Sequence, residues 1–180
     1  MEREDERQLV GRLGLSGTVA GEGHEDELGI YVNDISWNKL CWYLDIFYDL
    51  ERAPDAADGR AVFDVAVHFT NAITEDEAAQ APAYISQMYQ KLKRAPSDLV
   101  EEVLFMAPAG GAIEGFEVHP DAPIGADKTV PDERHTLYGR DTWRSRLNIL
   151  GEGDTYVTFR LTMPAGATTP RVVTSPLCHD

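Results

Sequence analysis

From Leu28 onward the chain is written largely in a period of two. Leu28, Ile30 and Val32 alternate with Gly29 and Tyr31. After the polar stretch 33–38, Leu40, Trp42, Leu44, Ile46, Tyr48 and Leu50 alternate with Cys41, Tyr43, Asp45, Phe47 and Asp49. Successive strand side chains point to opposite faces, so both runs read as strands. Two such runs about a polar break predict a β-hairpin with one apolar face. The second run is apolar on parts of its other face too, which predicts a central strand. Phe63, Val65, Val67 and Phe69 against Asp64, Ala66 and His68 give the clearest half-buried strand. Residues 99–106 form another, stopped by the turn-forming run Ala107–Gly111. Trp143, Ser145, Leu147 and Ile149 alternate with arginines, and Val157, Phe159, Leu161 and Met163 with Thr158, Arg160 and Thr162. The Gly-Glu-Gly-Asp at 151–154 reads as the hairpin turn between them. Val172–Val173 is a short edge strand.

Elsewhere the period changes or fails. Leu9, Val10 and Leu13 share one face of a short helix over 3–13, closed by Gly14 or Gly17. Residues 17–27 are a Gly-rich acidic connector. Thr74 and Glu77 have capping-box spacing, so a helical turn runs to about Gln80, and Pro82 prevents a longer helix. Residues 51–60 and 119–134 have loop composition, and 83–95 read as mostly irregular. The sum is a mostly-β chain: an antiparallel β-sandwich-like domain of about six to eight strands, with a short N-terminal helix and one or two short helical turns. A length of 180 residues suits one such core.

Charge narrows the partners. Thirty-one acids against sixteen bases leave a net charge of −15. That repels a phosphate backbone, and Lys91, Lys93 and Arg94 are too few to offset it, so nucleic acid is not expected. The N-terminus is charged where a secretion signal needs an apolar middle, and no apolar run approaches the ~20 residues that span a bilayer. Cys41 and Cys178 have no CxxC metal spacing. Cys41 is most simply a small core residue; a Cys41–Cys178 disulfide is the alternative and requires an oxidising compartment.

Catalytic patterns are missing. His24, His68, His119, His135 and His179 show no metal-site spacing, and His68 falls on the polar face of its strand. No nucleophile elbow, SxxK or P-loop occurs, so no catalytic residue, metal or cofactor is assigned. Glu25-Asp26-Glu27 and the pair Asp55/Asp58 read as solvated loop charge rather than calcium loops. The stretch 33–39 stands out. Trp37 amid Asn33, Asp34, Asn38 and Lys39 offers a flat apolar face ringed by hydrogen-bonding groups, suited to a sugar at one end of a sandwich. The competing reading makes Trp37 a lid on the hairpin, with Asn33 and Asp34 shaping the turn.

Four stretches fall in an order that resembles the C-terminal part of a family of large bacterial cell-envelope proteins defined only by a domain of unknown function. They are 4–17, 28–45, 65–85 and 104–111. The segment Gly29, Ile30, Tyr31, Val32, Asn33, Asp34, then Lys39, Leu40, Trp42, Tyr43 and Leu44, carries most of it. Thr70-Asn71 and Pro82-Ala83-Tyr84-Ile85 carry the rest. The chain departs at Trp42, where tyrosine is usual, and in a longer Thr74–Ala81 segment. The resemblance implies an extracellular, surface-exposed domain whose membrane anchor lies outside this chain. Residues 1–22 would be the end of a preceding helical region and its linker, and 23–180 the single sandwich domain. It carries no catalytic residues across. The expected role is non-catalytic binding of wall polysaccharide or an envelope partner protein. The alternatives are a purely structural domain completing a larger parent, or a hydrolase acting on envelope glycan.

Overall fold

The structure, a computed structural model, describes residues 26–36, 38–86, 95–119 and 132–175. The predicted helix over 3–13, the connector up to residue 25, Trp37, most of the 119–134 loop and Cys178 lie outside the described residues. The strands are β1 (Glu27–Asp34), β2 (Leu44–Ala53), β3 (Val62–Asn71), β4 (Leu99–Met106), β5 (Ala112–His119), β6 (Glu133–Leu137), β7 (Arg140–Ile149), β8 (Asp154–Thr162) and β9 (Arg171–Thr174); all but β5 and β6 fall on the expected runs. A 3-10 turn, Leu40–Tyr43, precedes β2, and two short helices, α1 (Glu75–Gln80) and α2 (Ala83–Ser86), follow β3.

The strands form a five-stranded sheet in the order β6-β7-β4-β1-β9 and a four-stranded sheet in the order β2-β3-β8-β5. Every pairing is antiparallel except β1 with β9. The expected mostly-β, two-sheet architecture is what the chain adopts. Leu28, Ile30, Val103, Phe105, Leu147 and Ile149 of the first sheet join Val65, Val67, Phe69, Val157, Phe159 and Leu161 of the second in one buried cluster. Phe105 meets Phe69 and Phe159 edge-on, with centroids 6.1 and 5.8 Å apart. Burying side chains of this size contributes roughly 1.5–3 kcal/mol each, which makes these alternations decisive for the fold.

Local chemistry sets the ends of the elements. Thr74 accepts from the Glu77 amide at 3.1 Å while Glu77 accepts from the Thr74 amide at 3.0 Å, the capping box expected for α1. Arg140 is buried and donates to the carbonyls of Ala107, Glu27 and Met106, tying the ends of β1, β4 and β7 together. Glu27, expected among solvated loop charges, is instead a buried member of β1 and pairs with Arg171.

Two further expectations are corrected. β1 and β2 do not form a hairpin: β1 pairs with β4 and β9, β2 with β3, so the chain crosses from one sheet to the other between them. Asp34 accepts from the Ser36 amide at 2.7 Å, and Asn38 holds the Leu40 amide and the Asp98 carbonyl. The 3-10 turn then breaks the alternation, leaving Leu40 buried and Trp42 70% exposed. β2 is also an edge strand rather than a central one. The apolar residue on its far face, Phe47, is 57% exposed.

Candidate functional site

The solvent face of the four-stranded sheet is assembled by register. Phe47 lies opposite His68, His68 opposite Tyr156, and Tyr156 opposite His119, so one row of rings crosses all four strands. His68 and His119 stack on either side of Tyr156, with centroids 5.1 and 4.5 Å away. Because Tyr156 and the two histidines cover one another's faces, they present edges and polar atoms. His68 Nδ1 lies 3.0 Å from an Asp154 carboxylate oxygen and His119 Nε2 lies 2.8 Å from the Thr158 hydroxyl.

Beside this row lies an open groove of about 610 Å³. Its floor lies low because Ala66 has a short side chain and Gly115 none. Gly115, at φ 62°, sits in the bulge where β5 slips register between Glu114 and Glu117. The far wall is a second cross-strand row, Glu51, Asp64, Arg160 and Glu114. Arg160 is committed: it grips Asp64 through two bonds of 2.9 and 3.3 Å, and that contact raises its pKa. The face therefore shows the carboxylates of Asp45, Asp49, Glu51, Glu114, Glu117 and Asp154 with no second arginine or lysine among the described residues to balance them.

The tip expected to carry the site, 33–39, follows β1. A second depression, about 370 Å³, is lined by Asp34, Ile35, Asn38 and Lys39. Asn38 is buried with its amide spent on the turn, Asn33 and Lys39 are exposed, and Trp37 lies outside the described residues. Behind the depression is a residue that sequence reading passed over. Glu101 shares the inward parity of Leu99, Val103 and Phe105, is fully buried, and neither of its carboxylate oxygens has a hydrogen-bond partner. It pairs with Asp34, and the Ile35 amide bonding to the Val100 carbonyl makes this the closer, non-hydrogen-bonded kind of pair. Burial, with the Asp34 charge as a lesser cause, pushes the Glu101 carboxyl up to about 8. The same surroundings push the thiol of half-buried Cys41 up, burial first and then Asp34 and Glu101. Cys41 is a free thiol.

Asp55 and Asp58 pair with Arg52 and Arg60 on the surface. Among the described residues, no three His, Cys, Asp or Glu side chains converge as a metal ligand set. No helix among them is long and apolar enough to cross a membrane. Comparison with protein-family models, with curated proteins and with solved structures finds no match.

Proposed function

We propose that this chain is a non-catalytic binding module of a bacterial cell-envelope protein, displayed outside the cell, and that it holds wall polysaccharide across the outer face of its four-stranded sheet. The observation that carries the reading is the ring row Phe47–His68–Tyr156–His119 running beside an open groove. A groove that crosses every strand suits an extended chain better than a compact molecule, and its polar atoms match the hydroxyls of a glycan. The anionic walls select against phosphate-bearing polymers and favour neutral or amine-bearing saccharides. A hydrolase is less well supported. Glu101, whose carboxyl is pushed up to about 8, is sealed from solvent and does not line the tip depression, so it has no route to a glycosidic oxygen.

Calorimetric titration with neutral peptidoglycan saccharides, an amine-bearing glycan and a phosphate-bearing wall polymer tests this. Saturable binding of the first two, weakened at least tenfold by Tyr156→Ala, is the expected result. Absence of binding at millimolar saccharide, or binding that Tyr156→Ala leaves unchanged, removes the reading. An Asn33→Ala/Lys39→Ala variant, run alongside, reports whether the tip contributes instead.

A further inference from the structure

Among the described residues the two sheets have four edges, and three are blunted. β6 and β9 are five and four residues long, and β5 carries the Gly115 bulge. Short strands and bulges are the usual protection against unwanted strand pairing. β2 has neither. It runs ten residues, Leu44–Ala53, without proline or glycine, and pairs with β3 in an unbroken register.

The direction of its free hydrogen-bonding groups follows from that register. The Ala72 amide donates to the Tyr43 carbonyl, so Asp45, Phe47, Asp49 and Glu51 exchange bonds with β3 while Ile46, Tyr48, Leu50 and Arg52 point theirs away. Among the described residues no strand takes them up. The side chains along this edge alternate too. Phe47 is flanked on the solvent face by Asp45, Asp49 and Glu51, while Tyr48, 47% exposed, and Leu50 sit on the inner side beside the core.

Charge decides the occupant. An antiparallel pairing of β2 with a second copy, centred anywhere from Phe47 to Leu50, sets carboxylates opposite one another. In turn these are Asp45 and Asp49, Asp45 and Glu51, Asp49 and itself, and Asp49 and Glu51. Like charges directly opposite are destabilising. We infer that the β2 edge is a docking site for an extended segment of a partner protein that alternates basic with apolar residues and adds a fifth strand to this sheet. Its backbone bonds to Ile46, Tyr48, Leu50 and Arg52, its lysines or arginines lie across from Asp45, Asp49 and Glu51, and its apolar residues cover Tyr48 and Leu50. The edge borders the glycan groove, which Asp49 and Glu51 also line, and the two readings are told apart by protection of the edge amides, which a saccharide on the outer face does not give.

The test uses the intact chain and the capped peptide Lys-Val-Lys-Val-Phe-Val-Lys, held below the concentration at which it self-associates. Hydrogen exchange is followed residue by residue, with affinity from fluorescence anisotropy of a labelled peptide. Saturable binding is expected, with new protection confined to the amides of Ile46, Tyr48, Leu50 and Arg52. Methylating the peptide's pairing amides should weaken it at least tenfold on the unaltered protein, as should Asp49→Lys/Glu51→Lys on the protein side. No new protection at these amides, equal binding of the methylated peptide, equal binding of a glutamate-for-lysine peptide, or dimerisation of the chain through β2 would each overturn the proposal.

Discussion

Glu101 shows how much one side chain can stand apart from its strand. Its parity places it among Leu99, Val103 and Phe105, where a carboxylate is tolerated only by holding its proton. A carboxyl whose folded pKa is about 8 against an ordinary 4.5 binds its proton more tightly in the folded state. The contribution is therefore intact below the ordinary value and is lost as pH rises towards about 8, at most about 1.4 kcal/mol per pH unit. Urea unfolding at pH 5 and pH 8.5 should show this decline in the native chain, and Glu101→Gln should abolish most of the slope whatever its constant offset. An unchanged slope would mean that Glu101 does not carry the pH dependence. Gly111 makes a second case by geometry alone. A Cβ there would lie 2.7 Å from the Thr162 carbonyl oxygen and 3.1 Å from that of Pro108, both backbone atoms that cannot swing aside. Gly111→Ala should cost on the order of 1–3 kcal/mol in the same measurement.

At the scale of elements, neighbouring strands of one sheet treat the same residue type in opposite ways. Phe69 of β3 is fully buried against Phe105, whereas Phe47 of β2 is mostly exposed. Phe69→Ala should therefore cost about 3–5 kcal/mol and Phe47→Ala under about 1, read from denaturant midpoints at constant slope. Comparable losses would mean that Phe47 is covered in solution. This contrast marks what the chain's pattern could and could not convey. Where alternation is strict, as in β3, β7 and β8, strand and inward face were both legible. β5 was not, because the bulge at Gly115 puts Ile113 and Phe116 out of step. β6 was not, because a five-residue polar edge strand has no apolar rhythm. The β1–β2 connection misled because a polar break looks alike whether it turns a hairpin or carries the chain between sheets. Only the side-chain bonds of Asp34 and Asn38, together with the 3-10 turn, distinguish the two.

For the whole molecule, the candidate site is a product of long-range register. Parity alone put His68 on a polar face, but its adjacency to Tyr156 and to Phe47 depends on partners 88 and 21 positions away, which no local pattern encodes. The same assembly gathers carboxylates that are scattered in the chain onto one face, and self-repulsion follows. Exposed pairs such as Arg134–Asp141 at 2.7 Å and Arg160–Asp64 at 2.9 Å are worth about 1 kcal/mol or less each. A net charge of −15 acts over distances that shrink from about 30 Å at 10 mM salt to about 10 Å at 100 mM. Screening should relieve more repulsion than attraction, so the thermal midpoint at pH 7.5 should rise by a few degrees between 10 and 150 mM sodium chloride. The rise has an internal control. Near pH 4.6, where the net charge vanishes, it should disappear, because no excess of one sign remains to screen. A fall in midpoint with salt at pH 7.5 would mean that the surface ion pairs outweigh the repulsion. A rise of equal size at both pH values would point to general salting-out of apolar surface, such as Trp42, Phe47 and Tyr84, rather than to charge.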